Sequence, residues 1–179
     1  MPILGTLWVI PMLLLAVNSY AAESIRYTLS ATFMPKMCDI VAPHTVVLEK
    51  VPGSGVMPSA DIKAGLASQP FQIGLANCDD DNPSGMVVFI SNGRTVHGSH
   101  DVFNNNPDGN IGIKIRANGQ SFSKSDSPYK PSLNSIVWRD IQHITEQKTL
   151  TASLVCAQAG CEPDEGQFNA AITLSFYSN

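Results

Sequence analysis

The chain has 179 residues, a formal net charge of −4 at pH 7 and only 15% charged residues. It carries no basic run, which argues against nucleic-acid binding, and its length suits one domain with a core of its own. The 13 Gly and 12 Pro, with many Ser, Thr and Asn, imply frequent turns, and no long segment of period 3.6 stands out. Together these features predict an all-β fold.

Residues 1–21 read as a secretory signal peptide. The stretch is apolar from Ile3 to Val17, interrupted by Pro11, and ends in Ser19-Tyr20-Ala21. That ending places small residues at −3 and −1 of a cut before Ala22. The n-region has no Lys or Arg, and the run is too short and interrupted to read as a membrane span. All four Cys follow this leader, and in an exported chain they are expected to pair. Three connectivities are possible; the favoured one joins Cys38 to Cys78 and Cys156 to Cys161. The first would close a long loop and stabilise by roughly 4 kcal/mol through chain entropy. The second would mainly fix a local turn. Neither a CxxC redox motif nor a zinc-type spacing occurs, so no metal and no cofactor is expected.

Immediately behind the leader, Ile25, Tyr27, Leu29, Ala31 and Phe33 fall on one face of an extended chain. Arg26, Thr28, Ser30 and Thr32 fall on the other, the pattern of a half-buried strand. Thr45–Leu48 is a short strand candidate, and 52–60 reads as a loop with two Gly and two Pro. From Pro70 the chain alternates again through Phe71, Ile73 and Leu75, and it ends this run at Cys78. Asp79–Asp81 with Asn82-Pro83 reads as a solvated turn. Gly85–Ile90 predicts a strand closed by Ser91-Asn92-Gly93. His97, His100 and Asp101 share a polar loop, and 104–109 is a dense turn signal. Ile111, Ile113 and Ile115 alternate up to Asn118-Gly119; 120–133 reads as a Ser- and Pro-rich loop. Ser135–Arg139 and Lys148–Cys156 are further strands, the latter with Leu150, Ala152 and Leu154 on one side. The last strand is predicted over Gln167–Tyr177, where Phe168, Ala170, Ile172, Leu174 and Phe176 alternate without a break. Seven or eight short strands with frequent turns fit a β-sandwich. The sequence ends two residues after this strand, so no later strand is expected to cover its free edge.

The order of these features resembles a fimbrial subunit of the bacterial chaperone–usher type, similar to type 1 pilins. The resemblance rests on a signal peptide, an alternating segment, and Cys38. It continues with F-x-I-x-L-x-N-C ending at Cys78, and a terminal G-x-F-x-A-x-I-x-L-x-F strand. It implies an incomplete immunoglobulin-like β-sandwich lacking its last strand, with an N-terminal donor-strand extension. The division implied is 1–21 signal peptide, 22–34 donor-strand extension and 35–179 pilin domain. Ile25, Tyr27, Leu29, Ala31 and Phe33 would be donor residues for a neighbouring subunit. Phe168, Ala170, Ile172, Leu174, Phe176 and Tyr177 would line this subunit's own acceptor groove and meet the chaperone, with Asn179 supplying the carboxylate. The implied partners are a periplasmic pilus chaperone, an outer-membrane usher and neighbouring fimbrial subunits, and the implied location is a fimbrium on the bacterial surface. Two departures stand out: Ala31 occupies a position where the family usually has Gly, and Tyr177 is out of phase with the apolar alternation.

A second reading is an exported β-sandwich adhesin or lectin module that binds a host glycan or protein through its loops. Tyr129, Trp138 and the 97–101 loop are its candidates, although Tyr129 and Trp138 read as loop packing and core. An enzyme is disfavoured: there is no G-x-S-x-G, no paired catalytic carboxylates and no credible Ser/His/Asp set.

Overall fold

A computed structural model describes residues 38–79, 83–163 and 166–178. The signal peptide, the alternating segment 22–33, most of the 79–81 acidic turn and Asn179 lie outside the described residues.

The described chain forms eight strands in two antiparallel sheets. In chain order they are β1 (Asp39–Val41), β2 (Ser68–Ala76), β3 (Met86–Gly93), β4 (Ile111–Ala117), β5 (Gln120–Phe122), β6 (Ile136–Trp138), β7 (Gln147–Cys156) and β8 (Ile172–Ser178). One sheet has the order β1-β2-β7-β4-β5, the other β6-β3-β8. Period-two alternation gives each sheet one apolar face, and the two faces close on each other. Ile73, Ile113, Ile115, Leu150, Ala152 and Leu154 enter the core from the first sheet. Val88, Ile90 and Phe176 meet them from the second.

Turn chemistry sets several connections. Asn118 (φ 49°) and Gly119 (φ 79°) form a two-residue turn with both residues left-handed, the geometry that matches strand twist in a tight hairpin. Ala117 therefore pairs with Gln120, and β5 extends a strand into what reads from sequence as loop. Gly112 is required by close packing: a Cβ there would collide with Val102 and lie 2.8 Å from the Phe103 carbonyl oxygen.

Both favoured disulfides are present, Cys38–Cys78 and Cys156–Cys161. The first ties the start of β1 to the residues just after β2. The second closes the turn that leaves β7. Around that turn, Ala157 N–H donates to the Asn110 carbonyl at 2.8 Å. Glu162 accepts from Lys63 through its carboxylate and from the Asn110 amide through its carbonyl.

Four elements differ from their sequence reading. Residues 59–63, at the end of an expected loop, form the short helix α1 (Ser59–Lys63), with Pro58 at its N-cap, Asp61 in its first turn and buried Ile62 as its anchor. The expected loop 120–133 holds β5 and leads into a 3-10 turn over Leu133–Ser135, where Ser132 and Ser135 cap each other. Thr45–Leu48 is extended but joins neither sheet. The last strand begins at Ile172, not Gln167. Its upstream backbone is claimed elsewhere: the Asn169 carbonyl accepts from Asn105 N–H at 2.9 Å, and Ala171 N–H donates to Asn105 Oδ1 at 3.0 Å. These bonds replace ladder pairing over that stretch.

Candidate functional site

β8 lies at an edge of the three-stranded sheet. It pairs along one side with β3, from Met86↔Ser178 to Gly93↔Ile172. Among the described residues, no strand pairs with its other side. An edge of seven residues presents a row of backbone N–H and C=O groups seeking partners.

A long apolar groove runs beside this edge. β8 and the residue run before it form one wall through Ala170, Ile172 and Leu174. The floor comes from the facing sheet: Phe71 of β2, Ile113 and Ile115 of β4, Leu150 and Ala152 of β7. Residues 42–48 form the far wall. Alternation along this extended stretch turns Ala42, His44, Val46 and Leu48 to the groove, with Pro43 beside them. Val47 faces away and is 49% exposed. No backbone hydrogen bond from 42–48 to another described segment is present. The groove therefore has two walls with no described strand between them, and an apolar floor one sheet below.

The floor residues Leu150 and Ala152 are buried at 0% and 4% exposure, whereas Ile172 and Leu174 on the wall are only half-buried. Apolar side chains left half-covered along a free strand edge form a surface suited to an added strand.

The residues expected to line the groove divide into three groups. Ala170, Ile172 and Leu174 line it. Phe168 and Phe176 pack on the core without lining it, Phe176 with 8% exposure. Tyr177 pairs across from Val87 on the opposite parity of β8 and is half-buried. The sequence reading did not name the far wall or the floor. The signal available for the wall was the period of two in Ala42, His44, Val46 and Leu48.

The other candidates form no comparable site. His97 Nε2 lies 3.4 Å from Asp108 Oδ1 on the surface, and Asp101 pairs with Lys114 at 2.9 Å. Among the described residues no group of three or more potential ligands is arranged to hold a metal ion. Trp138 is core at 4% exposure. Tyr129 is not packed as the sequence reading expects; it stands 64% exposed on the 120–135 stretch. A separate local feature is Glu49, whose carboxylate accepts from Gly53 N–H at 2.7 Å and Gly55 N–H at 2.8 Å. The Gly55 and then the Gly53 N–H hold this carboxyl below its ordinary value of 4.5.

No protein-family model matches this sequence, and no curated protein matches it. Solved structures do. The fold is similar to that of the P pilus rod subunit PapA, with a TM-score of 0.54 and 17% identity, over 86% of this chain and 100% of that one. It is also similar to a chain from a chaperone–usher pilus solved to explain rod uncoiling, with a TM-score of 0.52 and 14% identity, over 91% of this chain and 100% of that one. The chain thus has the all-β, immunoglobulin-like sandwich fold of pilus subunits.

Proposed function

We propose that this chain is a structural subunit of a bacterial surface fimbria of the chaperone–usher type. Residues 1–21 direct export, residues 22–34 form a donor extension, and the remainder is the pilin domain. In the periplasm a chaperone strand fills the groove beside β8. At the outer-membrane usher, residues 22–33 of the next subunit replace it.

The observation that carries this reading is the apolar groove along the edge of β8 that no described strand pairs with. A strand laid between β8 and 42–48 satisfies the open hydrogen-bonding groups and covers the half-buried Ile172 and Leu174. The apolar stripe of Ile25, Tyr27, Leu29, Ala31 and Phe33 has the period such a groove demands. Each side chain buried contributes up to ~1.5–3 kcal/mol before ordering costs are subtracted. Several together make a durable joint.

The test is deletion of residues 22–33 in a strain assembling the fimbria. The shortened subunit is expected to accumulate as a chaperone complex and to fail to enter fibres as a donor. Normal polymerisation of the deleted chain contradicts the proposal.

A further inference from the structure

Twelve of the thirteen side chains that line the groove are Ala, Pro, Val, Leu, Ile or Phe; the remaining one is His44. It sits on the far wall at the groove-facing parity, between Ala42 and Val46. No lining residue from β2, β4, β7 or β8 is titratable. The incoming segment 22–33 carries two charged side chains, Glu23 and Arg26. Arg26 lies on the opposite parity from the apolar stripe; Glu23 shares its parity but precedes it.

We infer that His44 makes strand docking in this groove dependent on pH, with docking favoured where the imidazole is neutral. The inference rests on the strand-acceptor reading above. In the open groove His44 is exposed and free to take water as its partner. A docked strand removes that water and surrounds the ring with aliphatic side chains. Desolvation disfavours the charged form of a base, so the docked state excludes the proton. Imidazole is the one side chain whose ordinary charge change falls between about pH 5 and 8. By linkage, docking is at full strength above that transition. It weakens as pH falls through it, by up to about tenfold per pH unit for one proton excluded. The carboxylate of Glu23 would act in the opposite sense, since an ion pair with imidazolium strengthens docking on acidification.

The test measures binding of a labelled synthetic peptide of residues 22–33 to the purified full chain at pH 7.5, 6.5 and 5.5. His44→Leu and His44→Gln run alongside; the second keeps polarity without the charge. The expected result is an affinity that drops up to about fivefold from pH 6.5 to 5.5 in the wild type and stays flat in both variants. Equal affinity at all three pH values in the wild type overturns the inference and leaves the groove reading intact. So does an unchanged pH slope in the variants. Binding that tightens on acidification overturns it too, assigning His44 a carboxylate partner in the strand. Absence of binding at every pH overturns the strand-acceptor reading itself, and this inference with it.

Discussion

β7 and β8 read almost alike as sequence and live differently in the fold. Both alternate apolar and small polar residues, Leu150-Thr-Ala-Ser-Leu154 in one and Ile172-Thr-Leu-Ser-Phe176 in the other. β7 lies inside the five-stranded sheet, paired with β2 on one side and β4 on the other. Its Leu150, Ala152 and Leu154 are all at or below 5% exposure. β8 has β3 on one side and no described strand on the other, and two of its three apolar residues remain half-covered. Alternation specifies which face a strand buries. It does not specify how many neighbours the strand has. The difference between these strands is the groove, and the proposed function rests on it.

The two disulfides offer a first perturbation, since only one of them adjoins a wall of the groove. The largest effect is expected from removing the Cys38–Cys78 bridge, which anchors β1 immediately before the far wall at 42–48. Closure of a 40-residue separation is worth about 4 kcal/mol. The Cys38→Ser, Cys78→Ser pair should lose about that much in denaturant unfolding and bind a strand peptide poorly. Cys156→Ser with Cys161→Ser removes a bridge that closes a separation of only 5, at the exit of β7. Its cost should be about 2 kcal/mol, with peptide binding retained. Equal losses of binding in both pairs would break the link between the first bridge and the groove wall.

Substitution within the strands sharpens the contrast. Leu150→Ala removes a side chain with 0% exposure and should cost about 2–5 kcal/mol by leaving a cavity. Leu174→Ala removes one already half in solvent and should cost about half as much in the open chain. With a strand docked, the Leu174→Ala cost should rise toward that of Leu150→Ala. Denaturation with and without saturating peptide measures all four values. A Leu174→Ala cost that does not change with peptide would show that the strand does not cover this wall.

The smallest effect is a control outside the comparison. Glu49 bridges the Gly53 and Gly55 amides across the 49–56 loop. Because its folded carboxyl is held below 4.5, its contribution is present above that value and is lost as pH falls through the lower folded value. The Gly53 and Gly55 amide resonances should shift only in acid below about pH 4.5, and Glu49→Gln should abolish the shift. Strand docking at pH 5.5 to 7.5 should be indifferent to this substitution.

Much of the fold was legible because burial imposes a period. Phe71, Ile73 and Leu75, Ile111, Ile113 and Ile115, and Leu150, Ala152 and Leu154 mark β2, β4 and β7 by their alternation alone. Asn118-Gly119 announced the turn, though not that a paired strand followed it. Reading failed where partners, not faces, decided the outcome. Val46 and Leu48 alternate as a strand would, yet 42–48 has no ladder partner among the described residues, and Pro43 lacks an N–H to give. Phe168 and Ala170 continue the alternation of β8, but Asn105 from a distant loop takes the backbone there. The groove itself was half legible: its β8 wall was implied by the fimbrial resemblance, while its floor and far wall depend on which segments stack beneath and opposite.

The account's central claim is that the free edge of β8 accepts a strand supplied by residues 22–33. Amide hydrogen exchange tests it most directly, on a chain lacking 22–33, before and after addition of the 22–33 peptide. The account predicts that the β8 amides not bonded to β3 exchange rapidly at first and become protected with peptide, while β7 is protected throughout. Bound peptide that leaves β8 exchange unchanged, or β8 amides as protected as those of β7 before any peptide is added, would contradict it.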